Sequence, residues 1–582
     1  MTGRRPRTPS RPPSRPPRSR LRLAARAAVG GGVVLPLGLG LWETLRAAFG
    51  VVPALGFGPA SLAPWRALFD QPGLATSLRL TLVTGFGATL AALALALGFC
   101  ALVQRRAAER GAGRLILPLL AAPHAAVAIG LAFLIAPSGW IARLISPGLS
   151  GWSDPPALAT VNDGWGLALM LGLVIKEVPF LILVTLMALG QVPVRALMAT
   201  GRSLGHGPGA VWVGVILPRI YPMIRLPVWA VLAFSLSVVD MAIVLGPSNP
   251  PVLAVAVLRR FADPDLAALL PGSAGAVAQA LVVAAGIALW HGGERLAARL
   301  WRWRGARGPR GGAAEAPLAG LAAAAVSGLA TGIAALACLG LWSFAQRWNF
   351  PRDLPEIWTL SAWITIGGWR DAAATTLLIG AASALLSLAL AVAWLEGDDR
   401  SPRSGGRAAA ALIWLPLFVP QVASVYGLNV VFLRLGLSGG PAAVIWAHVV
   451  FVFPYVLLAL SGPWHRLDRR LVATAAALGA GPGRRLWSVK LPALIRPVLV
   501  AAAIGFAVSV AQYLPTLLPG AGRVATLTTE AVALSSGADR RLAAVHGVVQ
   551  AALPLAVYGL AVLLPGLPAR RRRRAGTIAG VA

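Results

Sequence analysis

The sequence has the composition of an integral membrane protein. Its 582 residues are 57% hydrophobic and only 12% charged, and the formal net charge is +32. A soluble domain would carry about twice that charged fraction, and a disordered chain would be much less hydrophobic. Both classes are therefore excluded.

The chain begins with a basic tail. Residues 1–22 are mostly Arg, Pro and Ser, so we predict that they are disordered. The apolar segment that follows has the Arg-rich flank of a signal peptide. No small-residue cleavage site is evident before the next polar loop, and we therefore expect a retained first helix.

Twelve apolar segments are long enough to cross a bilayer, whose core of about 30 Å requires roughly 20 helical residues. Six form a first unit (23–292), near 23–42, 77–103, 115–136, 165–189, 226–246 and 273–291. Six form a second unit (317–566), near 318–342, 373–394, 409–433, 442–462, 494–518 and 546–566. We predict an all-α integral membrane protein with about 12 transmembrane helices. Residues 293–316, with six arginines, read as a linker, and 567–582 as a second basic tail.

Two loops repeat the same pattern. Ala199, Thr200, Leu204 and Gly205 recur in the second half as Ala473, Thr474, Leu478 and Gly479, each at the same distance along the chain from its counterpart. The same offset relates Pro208 to Pro482 and Leu217-Pro218 to Leu491-Pro492. An ordered series of matches inside equivalent loops predicts a duplication, with two homologous six-helix units.

The basic excess indicates orientation. With the N-terminus inside, the predicted cytoplasmic segments hold 38 Arg or Lys against 7 Asp or Glu, and the outer loops hold 13 against 11. This asymmetry predicts cytoplasmic N- and C-termini. The run Arg570–Arg574 then lies near acidic lipid headgroups, and we expect no nucleic-acid partner.

Each repeated loop has the residues of a rigid turn. A glycine suits a left-handed helix cap, a proline can begin a second short helix, and Leu-Pro precedes re-entry into the membrane. Such a projection can pass a rigid-body movement from a soluble partner to the membrane helices. We therefore predict that both loops are docking sites.

These loops resemble those of permease subunits of binding-protein-dependent ABC importers with the type I fold. That loop reads Glu-Ala-Ala, three residues, Gly, nine residues, Ile, one residue, Leu-Pro; Val215 and Val489 occupy the aliphatic position here. Ala199 and Ala473 stand where the family often has Glu, so we do not expect the ionic contact that this glutamate would make with the ATPase. The resemblance covers roughly 75–290 and 370–566, and two units in one chain are similar to the ferric-iron and thiamine importer type.

The resemblance implies several partners. Two copies of a separate ABC ATPase would dock on the loops and hold ATP and Mg, and a solute-binding protein would meet the outer loops at the bacterial inner membrane. The chain itself is predicted to be no enzyme and to hold no cofactor, because neither Lys176 nor Lys490 follows a glycine as a P-loop requires. Residues 437–440, Leu-Ser-Gly-Gly, mimic the ABC ATPase signature, and we interpret them as a coincidence on an outer turn.

Ionisable residues inside predicted spans are functional candidates because their insertion is costly. They are Lys176, Glu177 and Asp240, and Gln512 corresponds to Asp240 in the second unit. The lysine side chain is long enough to reach Asp240, which gives a structural ion pair or a water-facing anchor; alternatively these residues line the solute path. The scattered histidines predict no metal site. We expect 226–246 and 494–518 to form much of the path.

Two other function classes compete with an ABC permease. A twelve-helix secondary transporter driven by an ion gradient is supported by residues 397–407, which loosely resemble an acidic-basic loop of the major facilitator group. That likeness occurs in one half only and leaves the repeated loops unexplained. A membrane-embedded enzyme ranks last, because no paired carboxylates or His/Asp/Glu cluster recurs at one depth.

Overall fold

The computed structural model describes residues 20–103, 116–306, 314–365, 368–400, 407–537 and 539–564. Most of both predicted tails and the centre of the predicted linker lie outside these ranges. The first helix begins at Arg20, so residues 20–22, which we predicted as part of the tail, are helical.

The named elements of the first half are helices and short helical turns. Its α-helices are Arg20–Val29, Leu35–Ala48, Ala63–Phe69, Leu74–Val103, residues 116–121, His124–Ile135, Trp140–Ile145, Leu167–Leu189, Val194–Ser203, Pro208–Val211, Leu217–Ser237, Asp240–Leu245, Leu253–Phe261 and Leu269–Ala306. Short π or 3-10 turns lie at Gly30–Val34, Pro53–Leu55, Trp212–Ile216 and Leu266–Ala268.

The second half repeats much of this order. Its α-helices are Glu315–Phe344, Ser361–Ile364, Trp369–Asp399, Arg407–Phe418, Gln421–Arg434, Pro441–His465, Arg469–Ala477, Pro482–Arg485, Leu491–Ala493, Ile495–Val510, Leu514–Gly520, Leu527–Ser535 and Arg540–Leu563, with a π turn at Leu486–Lys490. The strands Ala345–Arg347 and Ile357–Trp358 form an antiparallel hairpin. Apart from this hairpin and one isolated bridge, the described residues confirm the predicted all-α architecture.

Ten helices in the described ranges are long and apolar enough to cross a membrane. In chain order they are span 1 (Arg20–Ala48), span 2 (Leu74–Val103), span 3 (His124–Ile145), span 4 (Leu167–Leu189), span 5 (Pro208–Ser237), span 6 (Leu266–Trp303), span 7 (Glu315–Phe344), span 8 (Trp369–Asp399), span 10 (Pro441–His465) and span 12 (Arg540–Leu563). Span 11 is Ile495–Val510, which meets Pro482–Ala493 at an 80° bend. Span 9 consists of the shorter helices Arg407–Phe418 and Gln421–Arg434. Each predicted apolar segment therefore corresponds to a continuous or broken span.

Proline explains the break in span 9 and a matching break before span 3. Pro123 is the residue before the helix that begins at His124, and Pro420 has the same place before Gln421. Proline disfavours helical backbone in the residue before it and cannot donate a backbone hydrogen bond. The two halves are thus interrupted at equivalent positions.

The first span of each half packs against the other half. Span 1 contacts span 8 and the second helix of span 9, and span 7 contacts spans 2, 3 and 4. The buried residues form two main cores that reflect this exchange: one joins spans 2–5 to span 7, and the other joins spans 8, 10 and 11 to span 1. The indole of Trp446 in span 10 donates a hydrogen bond to the Gly32 carbonyl of span 1, at 2.8 Å.

Glycine permits the close approach of the exchanged spans. A methyl group added at Gly40 would overlap the Ser424 carbonyl oxygen, and one added at Gly427 would overlap the Gly40 carbonyl oxygen. In the other half, a methyl group at Gly130 would overlap the carbonyl oxygen of Ala335 in span 7. These contacts place helix backbones directly against each other, as small residues do between membrane helices.

A hydrogen bond outside the loops also repeats. The Leu253 amide donates to the Thr81 hydroxyl at 2.9 Å, and the Leu527 amide donates to the Thr376 hydroxyl at the same distance. Each bond joins the second span of its half to a helix that follows the fifth. The duplication inferred from two loops therefore extends through the membrane region.

Candidate functional site

The first repeated loop forms a capped helix followed by a tight turn. Helix Val194–Ser203 ends at Leu204, and Gly205 adopts the left-handed conformation with φ +79°. The His206 amide donates to the Gly201 carbonyl at 3.0 Å, and the Gly205 amide donates to the Arg202 carbonyl, also at 3.0 Å. This pair of bonds is the Schellman motif, which favours glycine because a side chain is strained at that φ.

The second repeated loop has the same geometry. Gly479 has φ +81°, and its amide donates to the Ala476 carbonyl at 3.0 Å. The Ala480 amide donates to the Ala475 carbonyl at 2.9 Å. Each donor and acceptor is separated from its counterpart by the same offset that relates the two loop sequences, so the sequence repeat is also a repeat of backbone structure.

The rest of each loop follows the same course. Pro208 begins one short helix and Pro482 the other; a π turn follows each, and Leu217-Pro218 and Leu491-Pro492 then begin the next helix. Proline is suited to the first turn of a helix because the amide it lacks would have no partner there. All ten predicted loop residues therefore occupy two equivalent projections.

The projecting tips are apolar and exposed. Leu204 is 64% exposed and Leu478 is 82% exposed, and Trp487 lies farther along the second loop at 72%. Ala199 and Ala473 are exposed on the helices that lead to the tips. Large exposed apolar side chains at paired tips are the kind of surface that a protein partner covers.

Lys176 caps a broken helix and does not pair with Asp240. Its ammonium group donates to the carbonyl oxygens of Leu119 at 2.8 Å and Leu120 at 3.1 Å, and also to that of Ala122. Among the ion pairs of the described residues there is no contact between Lys176 and Asp240, so a direct ion pair is not formed, although each group lies within electrostatic range of the other.

The reason is the break before span 3. In a continuous helix the Leu119 carbonyl would accept from the amide of residue 123, but Pro123 has no amide hydrogen. The lysine supplies the missing donor in a region where water cannot. Pro123 was therefore the sequence signal for this role.

The two carboxylates lie close to the boundary between the halves. Glu177 has His124 as its neighbour, with 3.6 Å between the imidazole Nε2 and the carboxylate. Asp240 is buried at the start of the helix that follows the break after span 5. Two tyrosines of the second half lie within electrostatic range: Tyr455 of Glu177, and Tyr513 of Asp240. The short helix that Asp240 begins contacts helix Leu527–Ser535 of the second half, so this acidic group lies near the boundary between the halves.

The equivalent region of the second half is polar but uncharged. Gln512 lies in the break after span 11, and its side-chain oxygen accepts from Gln421 at 2.9 Å. The buried His448 contacts the hydroxyls of Ser509 at 2.7 Å and Thr516 at 2.9 Å. His124 and Gln421 begin equivalent helices, so a charged cluster in one half corresponds to neutral hydrogen bonds in the other.

The Leu-Ser-Gly-Gly stretch at 437–440 is a turn between spans 9 and 10. Gly439 has φ +81°, and a methyl group there would overlap the guanidinium of Arg523. That guanidinium donates to the Ser438 carbonyl at 3.1 Å. The glycine is thus explained by local packing.

Two buried polar clusters beside the loops were not predicted. Glu294 accepts from Tyr221 at 2.7 Å and Trp229 at 3.0 Å, and pairs with Arg225 at 2.9 Å, which joins span 5 to span 6. Lys490, at the end of the second loop, is only 6% exposed and pairs with carboxylates of span 8. Their only signal in the sequence was the presence of charged residues next to apolar segments.

No metal site emerges from these groups. Within the ranges that the structure covers, no three His, Cys, Asp or Glu side chains are grouped so that they could hold an ion.

Comparison with known proteins decides the family. Residues 400–571 match the family described as the binding-protein-dependent transport system inner membrane component. The chain is 33% identical over 513 residues to the inner membrane ABC transporter permease protein YnjC of Escherichia coli, an overlap that covers 87% of this chain and 91% of that protein. This chain belongs to the ABC transporter permease family. It is a multi-pass protein of the inner membrane.

Two other permeases are similar over shorter regions. The molybdenum transport system permease protein ModB of Mycobacterium tuberculosis is 32% identical over 177 residues, which cover 28% of this chain and 66% of ModB. The putative 2-aminoethylphosphonate transport system permease protein PhnV of Salmonella typhimurium is 27% identical over 212 residues, covering 35% of this chain and 77% of PhnV. Each of these permeases therefore matches a segment that is shorter than one half of the chain.

Proposed function

We propose that this ABC permease is the transmembrane subunit of an ATP-driven importer, which moves a small solute delivered by a binding protein across the inner membrane. The observation that carries the proposal is the pair of equivalent loops with exposed apolar tips at Leu204 and Leu478. Two equivalent projections fit two copies of one ATPase subunit, which would hold ATP and Mg. The N- and C-termini would then lie in the cytoplasm, on the side of the loops.

The loops are suited to transmit force because they continue directly into membrane helices. The first leads through the turn at Trp212–Ile216 into the helix of span 5, and the second through Leu486–Lys490 towards span 11. Closure of the two ATPases would move both loops as rigid bodies and rock the halves against each other.

We place the solute path where the helices that follow the loops are interrupted. The break after span 5 precedes Asp240, and Gln512 lies in the break after span 11. Lys176 lies within electrostatic range of both Glu177 and Asp240, so the two carboxylates of the first half lie in one region. Interrupted helices beside polar groups recur at transport sites because the freed backbone and the polar side chains can contact a solute.

The solute itself is selected largely by the binding protein in this proposal. Molybdenum and 2-aminoethylphosphonate appear in the names of two relatives, and these solutes are not assigned to this chain. The ferric-iron and thiamine importer type stays a prediction from the fused arrangement.

The proposal is tested by isolating the complex from native membranes with an affinity tag on this chain. We expect an ABC ATPase to co-purify and to be lost in the Leu204→Asp, Leu478→Asp double variant, because a buried aspartate destabilises the contact. Leu149→Asp is the matched control, since Leu149 is 88% exposed and lies in the loop at the other end of span 4 from the first tip.

The energy source is tested separately with membrane vesicles loaded with ATP. Uptake that survives ATP depletion but collapses with an uncoupler would overturn the proposal in favour of an ion-driven transporter. Retention of the ATPase by the double variant would refute the docking role of the tips.

A further inference from the structure

The end of span 8 binds the second repeated loop through a buried ion cluster. Lys490, the last residue of the π turn, has its ammonium group 2.6 Å from a carboxylate oxygen of Glu396. The side chains are 7% and 3% exposed. The other Glu396 oxygen accepts from Arg400 at 2.7 Å. Residues 396–400 are called the span 8 junction below.

A second carboxylate of the junction completes the cluster. Asp399 lies 2.6 Å from the Lys490 ammonium and also accepts from the indole of Trp464, at 3.0 Å. Trp464 belongs to the end of span 10, and its ring lies 5.3 Å from the same ammonium. The loop, span 8 and span 10 are therefore fixed together at one point by Lys490.

The opposite side of the junction holds span 1. Asp398 pairs with Arg22 at 3.1 Å and with Arg26 at 3.4 Å. Gly397 lies between Glu396 and Asp398 in the chain, and a methyl group added at Gly397 would come within 2.9 Å of the Arg22 Cα. Neighbouring residues of one helix end thus bind the second loop on one side and the exchanged first helix on the other.

The first half has apolar packing at the corresponding position. Ile216 stands where the second loop has Lys490, and it is fully buried. The equivalent bonds of Thr81 and Thr376 align span 2 with span 8, and in this alignment Ala101 stands opposite Glu396. Ala101 is buried close to Pro208 and Trp212 of the first loop. Among the described residues, Lys490 and Glu396 therefore have apolar counterparts in the first half.

We infer that the span 8 junction is a rigid link between the second repeated loop and span 1. Charged hydrogen bonds with fixed geometry in a buried site hold one arrangement, whereas apolar packing tolerates sliding. If the loops dock ATPases as proposed above, movement of the second loop reaches span 1 directly.

The test is hydrogen–deuterium exchange on the purified full chain in lipid nanodiscs, without ATPase or nucleotide. In Lys490→Met we expect faster amide exchange in two places: the turn Leu486–Lys490 and the first helix, Arg20–Val29. Loss of a buried charged contact should make local opening at least about tenfold more frequent. Arg484→Met, which removes an exposed cation from the same loop, should change neither.

A second variant approaches the link from its other end. Asp398→Asn weakens the contacts with Arg22 and Arg26 and leaves Lys490 paired. Because coupling between two sites is reciprocal, we expect faster exchange in Arg20–Val29 and also in Leu486–Lys490. This milder change remains informative if Lys490→Met fails to fold.

The outcomes separate the inference from a local structural role. Faster exchange confined to the segment next to each substitution would overturn the link and leave only a local clamp. The measurement involves no ATPase, so a failure of ATPase co-purification would refute the proposed function without deciding this result.

Discussion

At the scale of single residues, the intramembrane charges show what the sequence can and cannot predict. Hydropathy identified Lys176 and Asp240 as costly residues, and helix length placed them close enough to pair. The three carbonyls that bind Lys176 exist because Pro123 interrupts the preceding segment. The partners of Lys176 are determined by a break in another helix. Residue spacing along spans 4 and 5 carries no information about that break.

The two charges should therefore respond differently to substitution. Lys176→Met leaves backbone carbonyls without a donor in an apolar region and should lower the unfolding free energy by about 1.5–3 kcal/mol. Asp240→Asn keeps the shape of a buried side chain that lacks a cationic partner within ion-pair distance among the described residues, and it should leave stability unchanged or raise it.

Thermal unfolding in detergent distinguishes these expectations, with Asp240→Asn as the isosteric comparison for Lys176→Met. Equal loss of stability in both variants would contradict the assignment of Lys176 as a helix cap. Wild-type transport in both variants would exclude them from the solute path.

At the scale of elements, local sequence signals predicted the structure of a segment, but they did not predict which distant segments it contacts. The repeated loops could be predicted because Gly205 and Gly479 require a particular backbone conformation that their own neighbours complete. The exchange of spans 1 and 7 could not be predicted, because the sequence of an apolar segment does not specify which helix it will contact. Lys490 was counted as one more basic residue of a loop, although it is buried in an ion cluster.

The exchanged helices make a prediction about glycine. Gly427→Val should destabilise the protein by about 1–3 kcal/mol, because the added methyl groups force apart the backbones of spans 1 and 9. The control is Gly328→Val in span 7, where an added methyl group meets nothing within 4 Å.

The melting temperatures of these variants in lipid nanodiscs provide the measurement. A similar decrease in both would indicate a general cost of valine in these helices. A decrease restricted to Gly427→Val would support the close contact between the halves.

At the scale of the whole molecule, the two halves interlock. The first main core contains span 7 and several further residues of the second half, and the second main core contains span 1 of the first half. Tyr455 and Tyr513 of the second half lie within electrostatic range of Glu177 and Asp240 of the first half. Duplication was visible in the sequence because the repeated loops keep one offset. The interlocking was not visible, because it depends on packing between segments that are far apart along the chain.

Splitting the chain tests this interlocking. A break within residues 307–313 should give two fragments that co-purify when they are co-expressed, because spans 1 and 7 can still pack against the opposite fragment. Each fragment expressed alone should aggregate or be degraded, because one core lacks a helix. Stable, separate fragments with no affinity for each other would contradict the exchanged packing.

The position of span 1 also determines the order of assembly. Span 1 also contacts span 6, but its partners in spans 8 and 9 belong to the second half and are synthesised later, so those contacts form only after most of the chain has been made. Completion of the second core is then a late step that only a nearly full-length nascent chain can take. Membrane proteases would consequently recognise truncated products by a first helix that lacks its partner helices.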